Sequence, residues 1–589
     1  KKFSVDPALF FLTAALLLGV LFCIVIPYGA GFDEERHLTR IYFMSEYHFM
    51  PNFPNPIMYE EVSNLSYQRR FVQTPAFDMF SRETFWMKFN RAEENIRYGV
   101  RTQSIYSPVI FLPQALIGRA LWWKFDFPIL PTIILQRIAG LLIYIAGAYV
   151  AVRVIPYGKW IFAALALLPA AMYQASTLNA DGFTTGVSFA FIGWVIAVYM
   201  NEGSGIRPRS VWILAGLSLL LGVAKPGAIV LLPLLLMLVK HPLPSKRWGV
   251  LLVAGVFLAV AANIGWWSVA SQGSTFSAEG AQSISRQSSL IFSDPWGFTK
   301  LLLQAVTLTF SDQVQGWVAG YGYGAGTVPG AVYAFSALFL IATFLPEPRT
   351  VKIPARTRIF LAGIFLLSCA AIYTIAFSAN YATGGILALA KHGRYYIPFA
   401  PLFFLSIAGS FTVRENLQRL MRQVTVVSFL LVTVYYSFGI YTAYYTHCGY
   451  EAYTGEMCVL PVYKNLEKEG VPEAAIHQGV LATQTFTNYC GELQAVQVYI
   501  KSVPEGQAGS MRFSLLDEQG GQVLASRDFP VGEIAADSYL ELPVSLPPGH
   551  AGKQYVIQLT SEDLPPDIRS QRGQVADIEL AGRVGHGRC

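Results

Sequence analysis

The stretch "PALFFLTAALLLGVLFCIVIPYGAGFDEERHLTR" (7–40) sets an apolar run directly against a dense cluster of ionisable residues. The run, taken as 8–28, is long enough to cross the ~30 Å hydrocarbon core of a bilayer. Behind it come Asp33, Glu34, Glu35, Arg36, His37 and Arg40. It does not read as a cleaved leader: it is too long, and no small-x-small site follows it. Lys1 and Lys2 ahead of it suit a cytoplasmic anchor.

The rest of the chain repeats this pattern. Its 589 residues are 53% hydrophobic and 14% charged, with a mean hydropathy of +0.42, whereas soluble domains carry about 25% charged residues. The expectation is a polytopic α-helical membrane protein. The net charge of +6 is small for the length. No basic patch is interleaved with aromatics, so nothing points to nucleic acid as a partner, and none is expected.

Candidate spans fall at 8–28, 131–153, 159–177, 183–200, 209–223, 226–240, 248–269, 328–345, 357–378, 395–411 and 424–446. The loops "RVIPYGK", "NEGSGIRPRS", "KHPLPSKR", "PEPRTVKIPARTR" and "RENLQRLMR" are basic and are expected to face the cytoplasm. That orientation puts the N-terminus inside. It holds if "YSPVIFLPQALIGRALWW" (106–123), with two prolines and an arginine, is an interfacial helix rather than a span. If it does span, a segment near 300–319 spans too, and eleven spans become thirteen. Either odd count leaves the C-terminus outside, together with the loop 29–130, the turn "LNADGF" and the loop 270–327.

Beyond Tyr450 the character changes. "GELQAVQVYI", "MRFSLLDEQGGQVLASRDF", "SYLELPVSL" and "KQYVIQLTSED" have strand length and strand patterning, and "DEQGGQ" reads as a hairpin turn. The expected organisation is a transmembrane domain over 1–450, a linker over 451–480 and an extracytoplasmic β-sandwich over 481–589. Cys448, Cys458, Cys490 and Cys589 all lie past the last apolar run, which fits an oxidising compartment, with Cys448–Cys458 the preferred pair. Cys23 and Cys369 are expected to pack as small hydrophobes.

Four outer segments carry chemistry. Asp33 and Glu34 are placed to act as a general base or metal ligand at the membrane surface; the plainer alternative is a solvated helix end. His37 and Arg40 lie about one turn beyond Asp33 and Arg36 and share a face with them if a helix continues. Asn179 and Asp181 in "TLNADGF" are also ordinary turn formers. Lys225 in "GVAKPGA" fits either a lipid-phosphate site or a snorkelling anchor. Lys391, His392 and Arg394 beside Tyr395, in "ALAKHGRYYIPFAPL", suit an anion clamp, or an interfacial belt of basic and aromatic residues. They stand on the side where few positive residues are expected. No G-x-S-x-G, Walker loop, HExxH or CxxC is present, so hydrolase, ATP-driven and zinc-protease readings have no motif behind them. Nearly all ionisable residues lie at span ends, which favours an interfacial enzyme over a transporter.

Taken in order, "GFDEERHLTR", "YSPVIFLPQALIGRAL", "LQRIAGLLIYIAGAYVAVRVIP", "LALLPAAMYQASTLNADGFTTGVSFAF", "GVAKPGAIVLLPLLLML" and "HGRYYIPFAPL" resemble the bacterial membrane family known as domain of unknown function 2142. That family is grouped with the GT-C superfamily of lipid-dependent glycosyltransferases, and the resemblance covers roughly 1–450. It implies a GT-C-like fold in the bacterial cytoplasmic membrane and an inverting glycosyltransferase. The implied donor is a sugar on polyprenyl phosphate, and the acceptor a glycan, glycolipid or protein on the outer face. It implies Asp33 as catalytic base with Glu34 as the second candidate, and Lys225, Arg394 and His392 as contacts to the donor phosphate. His37, Arg40, Tyr106, Asp181 and Tyr395 would position substrate. His392 stands where the family usually has Gln. No cofactor is required, although a divalent cation (Mg or Mn) between Asp33 and Asp181 is compatible with the scheme. The alternatives are a glycan ligase or polymerase using polyprenyl diphosphate, a lipid-linked sugar transporter or flippase, and a non-catalytic assembly partner.

Overall fold

The computed structural model describes residues 6–50, 57–59, 61–62, 65–66, 76–91, 96–97, 106–201, 205–273, 291–322, 328–344, 353–379, 393–408 and 415–445 of the helical part. Past 450 it describes 458–461, 481–487, 493–500, 509–517, 522–534, 538–546, 553–561 and 581–586. Two compact units result. One is built from the helices up to Ser437; the other runs from Phe438 onward and takes in the short 3-10 helix Ala76–Phe80.

Among the described residues, six helices are long and apolar enough to cross a membrane: Pro7–Val25, Ile129–Val154, Asp181–Met200, Lys246–Ala270, Ala355–Ile375 and Leu420–Tyr445. All six coincide with expected spans. The first begins on Asp6, whose Oδ1 accepts the Ala8 N–H at 2.9 Å, with Pro7 in the first turn, where its missing N–H costs nothing. Asp181–Met200 is the most enclosed. It lies against Ile129–Val154 through glycine: a methyl at Gly147 would run into the backbone of Gly186. Small residues at such a seam let two backbones approach closely.

The other five expected spans are shorter or interrupted, mostly for one reason. Proline removes a helix N–H and disfavours helical geometry in the residue before it. Pro169 divides 159–177 into Lys159–Ala166 and Pro169–Ala175, and the freed Ala166 carbonyl is taken by the Tyr144 hydroxyl at 2.6 Å. Pro226–Leu238, with Pro233 inside it, is wound as a 3-10 helix. The same holds for Gly393–Phe399, with Pro398, which leads into the short α-helix Ala400–Ala408. Pro208–Val223 and Gly330–Thr343 are short apolar helices. The segment 106–123 is three short pieces: 3-10 at Pro108–Phe111, α at Leu112–Gly118, and a π turn at Arg119–Lys124. Pro295–Val318 is a further long helix, over the region that would span in the thirteen-span reading.

Past Phe438 the described strands form two four-stranded antiparallel sheets. One runs Cys458–Pro461, Ala581–His586, Leu493–Ile500, Ser538–Leu546; the other Leu481–Thr487, Gln554–Ser561, Ser510–Leu516, Val523–Pro530. Alternate residues of both, including Val496, Leu542, Phe513 and Leu559, enter one hydrophobic cluster. The expected hairpin is present: Ser510–Leu516 pairs with Val523–Pro530, and the Asp517 N–H donates to the Gln522 carbonyl at 3.0 Å. Three strands had no expectation attached to them: 458–461, inside the expected linker, 481–487 and 581–586. Most of the linker lies outside the described residues, as do Cys448, Cys490 and Cys589 and with them the expected disulfide. Cys23 is a buried free thiol.

Candidate active site

Helix Asp181–Met200 is capped at Ala180, and Asn179 just ahead of it supplies the side chain that meets the first turn. The Asn179 Oδ1 accepts the N–H groups of Asp181 (2.8 Å) and Gly182 (3.2 Å), and its Nδ2 donates to the Gln174 carbonyl at 2.7 Å. The asparagine therefore does the turn chemistry expected of "LNADGF". The aspartate is left to face elsewhere. Its Oδ1 meets the Lys225 ammonium at 2.5 Å, and its Oδ2 lies 3.8 Å from Arg394 Nε.

Lys225 and Arg394 each stand at the start of a 3-10 helix, where the helix dipole adds to their positive field. Aromatic faces line both. Lys225 Nζ lies 4.6 Å from the Tyr395 ring centroid and 5.4 Å from that of Tyr106. The Arg394 guanidinium lies 4.0 Å over Phe32 and 4.8 Å over Tyr395, and Nη2 donates to the Tyr395 hydroxyl at 3.3 Å. Such contacts hold a cation without cancelling its charge. Arg394 is 5% exposed, and its Nε and Nη1 make no hydrogen bond among the described residues. Gly393 makes this placement possible, because a side chain there would strike the Gln313 carbonyl on helix Pro295–Val318.

Asp33 enters from the first turn. It has a φ of 55°, in the left-handed region that is strained for most side chains, and its carboxylate does not cap the helix Glu34–Ser45 behind it. About a third of its side chain is exposed, and its contact is with Arg36 at 3.6 Å. It acts electrostatically on His37, Tyr106 and Arg394. His37, one turn on, is buried against the rings of Tyr106 (5.6 Å) and Phe111 (5.4 Å). Burial first, and then Lys225, push its imidazole down to about 4.

That shift gives a pH prediction with a definite sign. The unfolded imidazole takes its proton near 6.5 and the folded one only near 4. Between those values the unfolded chain binds more protons, so stability falls as pH drops. Its size from this one group is about 3 kcal/mol. Melting curves in detergent from pH 7 to pH 4 should fall more steeply for wild type than for His37→Asn; parallel curves would refute it.

Glu34 and Arg40 sit elsewhere than substrate chemistry needs. Glu34 is fully buried and faces Arg137, with Nε–Oε1 and Nη2–Oε2 both at 2.7 Å. It also accepts N–H bonds from Gly29, Gly31 and Leu178. Arg137 spends its remaining donors on the carbonyls of Cys23, Ile26 and Pro27, at the end of the first helix. Glu34 is thus a structural anchor, a correction to its reading as a second base. Arg40 is equally buried and donates to the carbonyls of His48, Phe49 and Met50. It clasps the loop after its own helix instead of positioning substrate. His392 lies outside the described residues. Two contributors had no expectation attached: Phe32, beneath Arg394, and Arg137.

The acid pair Asp33 and Asp181 does not fit a divalent metal. Asp181 is already faced by two cations, which would repel a third. Among the described residues no three His, Cys, Asp or Glu side chains converge as ligands.

Fold and site define a polytopic membrane protein in which a ring-lined cluster of two cations and an aspartate gathers at helix starts. The chain belongs to the family described as "Predicted membrane protein (DUF2142)", which matches residues 16–403. Among solved structures it is similar to the arabinosyltransferase EmbB from Mycobacterium smegmatis, at 10% identity and a TM-score of 0.29. That match covers 99% of this chain and 65% of EmbB, so the chain spans less than two thirds of its neighbour's length. No curated protein matches it.

Proposed function

We propose that the protein is an inverting glycosyltransferase that takes its sugar from a polyprenyl-phosphate carrier and works at the outer face of the bacterial cytoplasmic membrane. The observation that carries this reading is Arg394, buried beside Lys225 with two guanidinium nitrogens lacking hydrogen bonds among the described residues. Such donors call for an anion. Cations at the starts of apolar helices suit an anion whose tail stays in lipid and whose head group stays near water. Charge supports a monophosphate. Lys225 and Arg394 against Asp181, with Asp33 offset by Arg36, leave one net positive charge, which a sugar–phosphate–prenyl diester neutralises; a diphosphate would bring further negative charge into a buried site.

In the proposed step an acceptor hydroxyl oxygen attacks the anomeric carbon from the face opposite the phosphate. The bond between that carbon and the phosphate oxygen breaks, and its electron pair leaves with the polyprenyl phosphate. Arg394 and Lys225 stabilise the charge that develops there. The hydroxyl proton passes to the Asp33 carboxylate. Attack from the opposite face inverts the anomeric centre. Asp181 holds the two cations in place.

The test is lipid binding in nanodiscs. Arg394→Ala and Lys225→Ala should each weaken binding of polyprenyl phosphate about 10- to 100-fold, the loss typical of one charged hydrogen bond, and should lower transfer with it. Wild-type affinity in both variants would sink the reading.

A further inference from the structure

His37 is buried and its Nδ1 has no hydrogen-bond partner among the described residues. Buried polar atoms are normally paired, and an exception calls for an explanation. The helix that carries His37 offers Nδ1 nothing, and the rings of Tyr106 and Phe111 pack against the imidazole in tilted contacts that supply no hydrogen bond. Tyr106 is shared: one ring contacts both His37 and the Lys225 ammonium. His37 therefore stands one aromatic ring away from the cation assigned to the donor phosphate. A sugar bonded to that phosphate needs a neighbour at about this remove.

The charges around His37 fix what kind of group it is. Lys225 and Arg394 disfavour its cation, while Asp33 and Asp181 favour it; with Tyr106 also close by, burial and the two cations prevail. The imidazole is neutral above pH 5. A carboxylate in its place would compete with the phosphate for Lys225, and a cation would repel it. A neutral imidazole matches a hydroxyl, which is likewise neutral and both donates and accepts.

We infer that His37 is the residue that recognises the donor sugar, its Nδ1 hydrogen-bonded to a ring hydroxyl of the glycosyl group carried on the phosphate at Lys225 and Arg394. The inference rests on the donor-phosphate reading above.

The experiment measures binding of sugar-free polyprenyl phosphate and of its hexosyl, pentosyl, deoxyhexosyl and N-acetylhexosaminyl esters, using native mass spectrometry of the full chain in nanodiscs. Wild type should bind one ester at least tenfold more tightly than the sugar-free lipid. His37→Phe, which keeps a ring against Tyr106 and Phe111, should lose that increment and leave sugar-free binding within twofold. His37→Asn, which keeps a polar atom close to Nδ1, should restore most of it. Three results would overturn the inference: no ester preferred by wild type, an increment that survives in both variants, or equal loss of ester and sugar-free lipid. Arg394→Ala separates the two claims. If it binds every lipid like wild type, the phosphate site itself fails, whatever His37 does.

Discussion

Arg137→Met should leave little folded protein to extract from membranes. Without the guanidinium, Glu34 is an uncompensated charge in a fully buried position. Breaking a buried pair by removing one partner costs about 3–5 kcal/mol. The carbonyls of Cys23, Ile26 and Pro27 lose their donor in the same stroke. Against a whole-domain stability of about 5–15 kcal/mol, this removes about a third of the margin or more, and all of it at the lower end. The double variant Glu34→Gln with Arg137→Met should recover part of the loss. Gln keeps one oxygen, enough for the Gly29 and Gly31 N–H groups but not for that of Leu178 as well, and carries no charge. Size-exclusion profiles and melting temperatures of the two single variants and the double would show the coupling. A monodisperse Arg137→Met protein with an unchanged melting temperature would mean that the pair contributes little.

Asp33→Asn should behave in the opposite way, folding normally and failing to transfer. The side chain is partly exposed, and its ion pair among the described residues is with a solvated arginine, so little stability rests on its charge. Asn tolerates the left-handed backbone almost as well as Asp, which makes it a better probe than Ala. Loss of a general base typically lowers the rate about 10²- to 10⁴-fold. Polyprenyl phosphate binding should remain at wild-type level, because Lys225 and Arg394 are untouched. Transfer within threefold of wild type would place the base elsewhere.

The long apolar runs gave up their helices readily, because a bilayer asks for one pattern and Pro7–Val25 or Lys246–Ala270 supplies it without interruption. The convergence of Asp181, Lys225 and Arg394 was also foreshadowed, since loop charge sorted their turns to one side. What stayed hidden were partners chosen by tertiary packing. Glu34 looked like a spare acid because Arg137 is 103 positions away. Yet an arginine inside "LPTIILQRIAGLLIYIAG" was itself a signal: an ionisable residue within a span needs a partner or a purpose, and its nearest unexplained acid was in the first outer turn. Arg40 shared a helical face with His37 by spacing, but the length of its side chain let it reach back to the loop. In the β region, Leu481–Thr487 escaped notice because "LATQTFT" is mostly polar, and pairing with Gln554–Ser561 decides its conformation.

The winding of Pro226–Leu238 has a consequence for how the protein sits in its membrane. As an α-helix those 13 residues would rise about 20 Å; as a 3-10 helix they rise about 26 Å. The segment is a drawn-out spring, reaching across most of a ~30 Å hydrocarbon layer with few residues and no spare length for tilting. Lys225 is fastened to its end. The ammonium itself is held by Asp181 and the rings of Tyr395 and Tyr106, so the stretched winding decides how far from that fixed point the other end of the segment reaches.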